Sequence, residues 1–159
     1  MKDLKKALCL FLAVVLAAGC LVACGSKEPD PVNPASCSYE EMVAYLTAKG
    51  YIAENAKPVD INVTEGYVQD NTGGEFPFAP MADKAEDFDG LWLFYWKEGS
   101  EAYENVYVNI AANDGMLVYM GGAAVLQSEA ASGNFAIAFG EGYAKKDAVL
   151  ADFKALPVK

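Results

Sequence analysis

The sequence predicts an α+β domain, an antiparallel sheet of about four to five strands with helices mainly on one face. Three observations point there. Apolar residues recur at helical spacing near both ends of the chain body, alternating apolar runs fill its middle, and glycine- and asparagine-rich turns separate them. The order is helix, strand, strand, helix, strands, helix, and a ferredoxin-like arrangement with shifted termini is one way to connect it.

The first helix opens at Ser38-Tyr39-Glu40-Glu41, which has the spacing of a capping box. Tyr39, Met42, Val43 and Leu46 then form one apolar face, and Gly50 ends the run. Val59, Ile61 and Val63 alternate with Asp60, Asn62 and Thr64, the pattern of a short, half-buried strand. From Gly66 to Pro80, glycines and prolines punctuate the chain, which reads as a long loop and a candidate interaction region.

Asp83, Glu86, Asp87 and Asp89 crowd into the segment that ends at Gly90. Calcium takes oxygen ligands from such segments, but the EF-hand series and its closing glutamate are missing, so a solvated charge run is expected. Leu91 to Trp96 form the most hydrophobic stretch outside the leader. Alternation sets Trp92, Phe94 and Trp96 on one face and Leu91, Leu93 and Tyr95 on the other. Both faces are apolar. The strand is either covered on both sides or offers Trp92, Phe94 and Trp96 as an interaction surface, where aromatic rings would make a platform for sugars.

Residues 100–113 read as a strand through Val106, Val108 and Ile110, or as a helix through Ala102, Tyr103, Val106, Tyr107 and Ile110. The helix is preferred: Ser100 suits its N-cap, Glu101 and Glu104 its positive end, and Gly115 its stop. Two strand-like runs follow, Met116 to Met120 and Ala123 to Gln127, parted by Gly121-Gly122. Ser128 to Gly133 is a polar turn, and Phe135, Ile137 and Phe139 alternate with alanines in a last strand. The final helix starts near Ala144, buries Val149, Phe153 and Leu156, and stops at Pro157.

Ahead of this body lies a leader with the three parts of a secretory signal: Lys2, Lys5 and Lys6, an apolar stretch from Ala7 to Ala23, and small residues before a cysteine. Leu21-Val22-Ala23-Cys24-Gly25-Ser26 resembles the bacterial lipobox. That resemblance implies cleavage before Cys24, lipid attachment there with palmitate-type acyl chains, and a protein held at the cell membrane on its extracytoplasmic face. Two competing readings are a transmembrane span, for which the apolar stretch is at the lower length limit, and attachment at Cys20. The first is disfavoured by length, the second by the missing leucine three residues before Cys20. If the host has an outer membrane, Gly25 is not the aspartate linked to inner-membrane retention. Between the leader and the domain, Gly25 to Ser38 reads as a flexible, proline-rich tether (24–37 in all), with the domain spanning 38–159.

Cleavage removes three lysines and Asp3, taking 12 basic and 22 acidic residues to 9 and 21 and the formal charge from −10 to −12. Such a chain repels nucleic acid and anionic headgroups. It contains no histidine, and every basic residue is lysine, which excludes histidine triads, histidine zinc sites and arginine clamps. No cofactor motif is present. Of four cysteines only Cys37 falls outside the leader and the lipobox, so no internal disulfide framework is available.

Asn134-Phe135-Ala136-Ile137-Ala138-Phe139, with Lys145 to Leu150 and Phe153, is similar to the C-terminal end of small lipoproteins from anaerobic Gram-positive gut bacteria. The likeness covers residues 84–156. It implies export and a compact mixed fold and carries over no catalytic residue. The expected function is accordingly a lipid-anchored surface binding or interaction module, not an enzyme, that meets a peptide, glycan or envelope protein. Two alternatives are an envelope hydrolase or transferase using Asp87 and Asp89 as acid and base, and a structural partner in an envelope assembly.

Overall fold

The computed structural model describes residues 28–64, 66–70, 75–78, 80–112, 115–119 and 122–158. The leader, Cys20 and Cys24 lie outside them. Helix α1 (Tyr39–Ala48) begins with the expected capping box: the Glu41 amide donates to Ser38 Oγ at 3.1 Å, and the Ser38 amide donates to Glu41 Oε2 at 2.7 Å. Two helix-end donors are thereby satisfied by the sequence itself. At the other end, Gly50 takes φ +72°, where glycine costs least.

The strands are β1 (Val59–Asp60), β2 (Gly66–Asp70), β3 (Glu75–Phe78), β4 (Lys84–Phe88), β5 (Leu91–Tyr95), β6 (Gly115–Tyr119), β7 (Gly122–Leu126), β8 (Ala131–Ser132) and β9 (Phe135–Phe139). Five of them form an antiparallel sheet in the order β1-β4-β5-β9-β8, and four form a second in the order β3-β2-β6-β7. The class and the five-stranded sheet match the sequence expectation. Every pairing among the described strands is antiparallel.

Strand β5 is central, and its neighbours explain its composition. On one face Leu91 and Leu93 join Phe88, Phe135 and Ile137 beneath α1 and helix α3 (Lys146–Lys154), which contribute Met42, Leu46, Val149 and Phe153. On the other, Phe94 lies between Ala85 of β4 and Ala136 of β9, and Trp92 stands opposite Ala138. Small residues beside large rings let a second layer settle closely. That layer holds Ala124 and Leu126 of β7, Val106 from a π-helical turn (Tyr103–Tyr107), and Ile110 from the helix α2 (Val108–Ala112) that continues it. The fully buried Trp96 donates its indole N–H to the Met81 carbonyl at 2.7 Å.

Residues 100–113 are therefore helical as far as Ala112, and Ser100 caps them: its Oγ accepts from the Tyr103 amide at 3.1 Å. Several expectations need correction. The Gly66 to Pro80 loop contains the β2–β3 hairpin, in which Tyr67 faces Pro77. A proline without an N–H is tolerated there because β3 is an edge strand. The acidic run is not merely solvated. Residues 84–88 are β4, Asp83 Oδ2 accepts from the Lys97 amide and Ser100 Oγ, and Asp87 Oδ1 accepts from the Gly90 amide in the β4–β5 turn. The expected strand from Val59 shortens to two residues, with Val59 itself 65% exposed. The polar turn from Ser128 folds as a 3-10 turn (Ser128–Ala130) and β8.

The tether is also shorter than its composition suggests. Pro34 is buried, Val32 and Cys37 pack against the α1/α3 side of the core, and the Asn134 amide donates to the Pro34 carbonyl at 3.0 Å. Lys49, at the end of α1, reaches Glu28 at 2.6 Å and Asp152 of α3 at 2.8 Å. The Lys49 ammonium, then the Tyr51 hydroxyl, hold the Asp152 carboxyl below its ordinary range. Gly133 makes the docking possible: it has φ +58°, and a Cβ there would stand 2.2 Å from the Pro34 carbonyl carbon. Gly133→Ala should lower stability by about 2 kcal/mol or more in denaturant unfolding. It should also speed proteolysis within residues 28–36; unchanged cleavage there would refute the docking.

Candidate functional site

Strand β8 is only two residues long and pairs with β9 at Phe135 and Ala136 alone. Beyond them no further strand pairs with the outer side of β9 among the described residues, and β7 and the 3-10 turn lie against β9. A groove of about 320 Å³ opens there, with Trp92, Gln127, Phe139, Glu141, Lys146 and Leu150 among its lining residues. Gly140 brings its walls together: its amide donates to the Gly90 carbonyl at 2.8 Å, and a Cβ on it would stand 3.3 Å from Gly90 Cα and 3.8 Å from Trp92 Cζ2. The end of β9 therefore lies directly on the β4–β5 turn and the Trp92 ring.

Of the three aromatic residues expected to form an interaction surface, only Trp92 is accessible. It is half-buried and lines the groove, whereas Phe94 and Trp96 are both 0% exposed and belong to the core. The reason is the layer above them. Phe94 and Trp96 lie 6.0 Å apart in a stacked pair, and Trp96 also meets Tyr107 at 5.0 Å. Trp92, nearer the β4–β5 turn, lies at the margin of this packed cluster.

The groove combines an indole with an amide, a carboxylate and an ammonium. Gln127, Glu141 and Lys146 are exposed, and Lys146 Nζ sits 5.8 Å from the centre of the Phe139 ring, which in turn stacks on Tyr143. Such a surface can stack on an apolar or sugar-ring face and hydrogen-bond to its polar edge. Sequence reasoning missed Gln127, Glu141 and Lys146, which come from three separate elements and share no spacing signal.

Asp87 and Asp89, the acid and base of the alternative enzymatic reading, are both in the β4–β5 turn region. Asp87 accepts the Gly90 amide, and Asp89 is exposed with φ +54°. Among the described residues, no group of three or more His, Cys, Asp and Glu side chains is placed to hold a metal ion.

Cys37 is half-buried. Burial first, and then the Glu41 carboxylate, push its thiol up to about 11. The thiolate is the nucleophile, so the folded chain holds this sulfur in its inert form at neutral pH. Because the folded pKa lies above the unfolded one, the neutral thiol's contribution to stability is complete below the unfolded pKa, near 9, and is lost as pH rises toward 11. Iodoacetamide labelling, mapped to the Cys37 peptide, should stay slow at pH 8 and accelerate toward pH 11. Rapid labelling at pH 7 would contradict this.

No family model, curated protein or solved structure matches the chain.

Proposed function

We propose that the chain is a lipid-anchored, extracytoplasmic lipoprotein that acts as a surface binding or interaction module. In this reading, the leader is cut before Cys24, the cysteine carries the lipid, and the domain presents the Trp92 groove to a peptide, glycan or envelope protein. The observation that carries the binding role is the position of Trp92: a half-buried indole in a groove with Gln127, Glu141 and Lys146 within one site. Aromatic anchors flanked by adaptable polar groups are what recognition surfaces favour energetically. The likeness of residues 84–156 to small lipoproteins of anaerobic gut bacteria and the lipobox support the location.

The anchor is tested by labelling cells with an alkyne-bearing palmitate. Cys24→Ala should abolish both label and membrane association, and continued labelling would move the site to Cys20 or remove the anchor.

Binding is tested by tryptophan fluorescence, because Trp96 is sealed and Trp92 alone can meet a ligand. Cell-wall glycan fragments or extended peptides should shift the emission of the native chain and leave Trp92→Phe unresponsive. An undiminished shift in Trp92→Phe would place recognition elsewhere.

A further inference from the structure

The ladder of β9 is complete on one side only. The Trp96 amide donates to the Asn134 carbonyl at 2.9 Å and the Gly140 amide to the Gly90 carbonyl at 2.8 Å, which turns the even-numbered residues from Asn134 to Gly140 toward β5. Hydrogen-bonding direction alternates along an antiparallel strand, so Phe135, Ile137 and Phe139 turn their amides and carbonyls outward. Strand β8 pairs at Phe135 and Ala136 and then stops. Its continuation would bring the Ala130 amide to the Ile137 carbonyl, but that amide donates instead to the Gln127 carbonyl at 2.8 Å, in the 3-10 turn. The Ile137 carbonyl and both outward groups of Phe139 are therefore left without a ladder partner among the described residues.

The Trp92 groove lies at this break. Trp92 and Ala138 belong to the core layer on one face of the sheet, Ile137, Phe139 and Leu150 to the layer on the other, and all five line the groove. A recess lined from both faces crosses the edge of a sheet, which is where an added strand lies. Ala124 and Leu126 of β7 are buried in the first of these layers, and neither lines the groove. Charge then selects among strands. Residues directly opposite one another in an antiparallel pair share a face, so a side chain opposite Phe139 would stand beside Lys146, whose ammonium is 5.8 Å from the centre of the Phe139 ring. Among the described residues Lys146 has no ion pair. The neighbouring side chains of the same strand would point to the Trp92 side.

We infer that the Trp92 groove takes an extended peptide as an additional antiparallel strand on β9, with an acidic side chain opposite Phe139 and apolar side chains before and after it. Main-chain hydrogen bonds to Phe139 supply the pairing, and Lys146 and Trp92 select the side chains, as happens where a sheet edge recognises a peptide. The inference rests on the reading of this groove as the binding site and names its ligand.

The test follows the whole chain by NMR during titration with the peptide acetyl-Thr-Val-Glu-Val-Thr-amide. In the free chain the Phe139 amide should exchange with deuterium faster than the Ala138 amide, which faces β5. The peptide should slow that exchange and give saturable shifts at Phe139 and at the Trp92 indole. Methylating the glutamate nitrogen of the peptide keeps every side chain but removes the donor to the Phe139 carbonyl, and should weaken binding about tenfold. Lys146→Glu should weaken it about twofold to fivefold. The same peptide with lysine in place of glutamate should then bind the variant better than the native chain. Undiminished binding of the methylated peptide, or a Phe139 amide as protected as that of Ala138 in the free chain, would overturn the inference. A Trp92 response to cell-wall glycan fragments with none to the peptide would overturn it too while leaving the groove a binding site, whereas a response to neither would remove both readings.

Discussion

The fold depends on a strand that is packed on both faces. Leu91 and Leu93 face α1 and α3, Phe94 faces the second layer, and Trp96 continues that side just past the strand end. The indole N–H of Trp96, donated to the Met81 carbonyl, lets a polar ring be sealed without an unpaired donor. That bond also joins the segment entering β4 to the end of β5. The β4–β5 hairpin, both packed layers and the margin where Trp92 emerges all take their position from this closure.

Much of this order was legible before any coordinates. Ser38 to Glu41 announced a helix because capping uses local atoms only, and Ser100 announced another for the same reason. The two apolar faces of Leu91 to Trp96 left two readings, a strand covered on both sides or one presenting its aromatic face, and the burial of Phe94 and Trp96 decides for cover at those two positions. Features that depend on distant partners were hidden. The β2–β3 hairpin carries Pro77, which local rules read as a break, and only its edge position makes it admissible. The segment around Pro34 reads as a tether until the φ +58° turn at Gly133 supplies a surface for it. Of the three aromatic residues proposed to bind, alternation put them correctly on one face but could not say that two would be roofed by Tyr107, Ile110 and Leu126.

The Trp92 groove and a recess between α1 and β4 have the same structural origin. The five-stranded sheet ends in strands of two residues, β1 on one side and β8 on the other. Edge strands this short discourage sheet-to-sheet association, and they also leave the ends of β4 and β9 without a full strand neighbour. Helices and turns border the remaining space, and helices pack against sheet edges less completely than strands pair. The recesses differ in character because different helices flank them: α1 brings Glu40 beside Lys84 and Glu86, whereas α3 brings Lys146 and Leu150 beside Trp92.

If Cys24 carries the proposed lipid anchor, the docking of residues 28–37 has a mechanical consequence. From Cys24 to Glu28 the fully extended backbone spans only about 15 Å. A pull on the anchor would not first peel α1 from its cap. It would load the Lys49 ion pairs with Glu28 and Asp152 and the contact between Pro34 and the β8–β9 turn, spreading tension over both helices of one face and the edge of the sheet. The domain would behave as a bracket on a short stem, with restricted rotation, and the faces it turns outward would be set by where that stem is fastened.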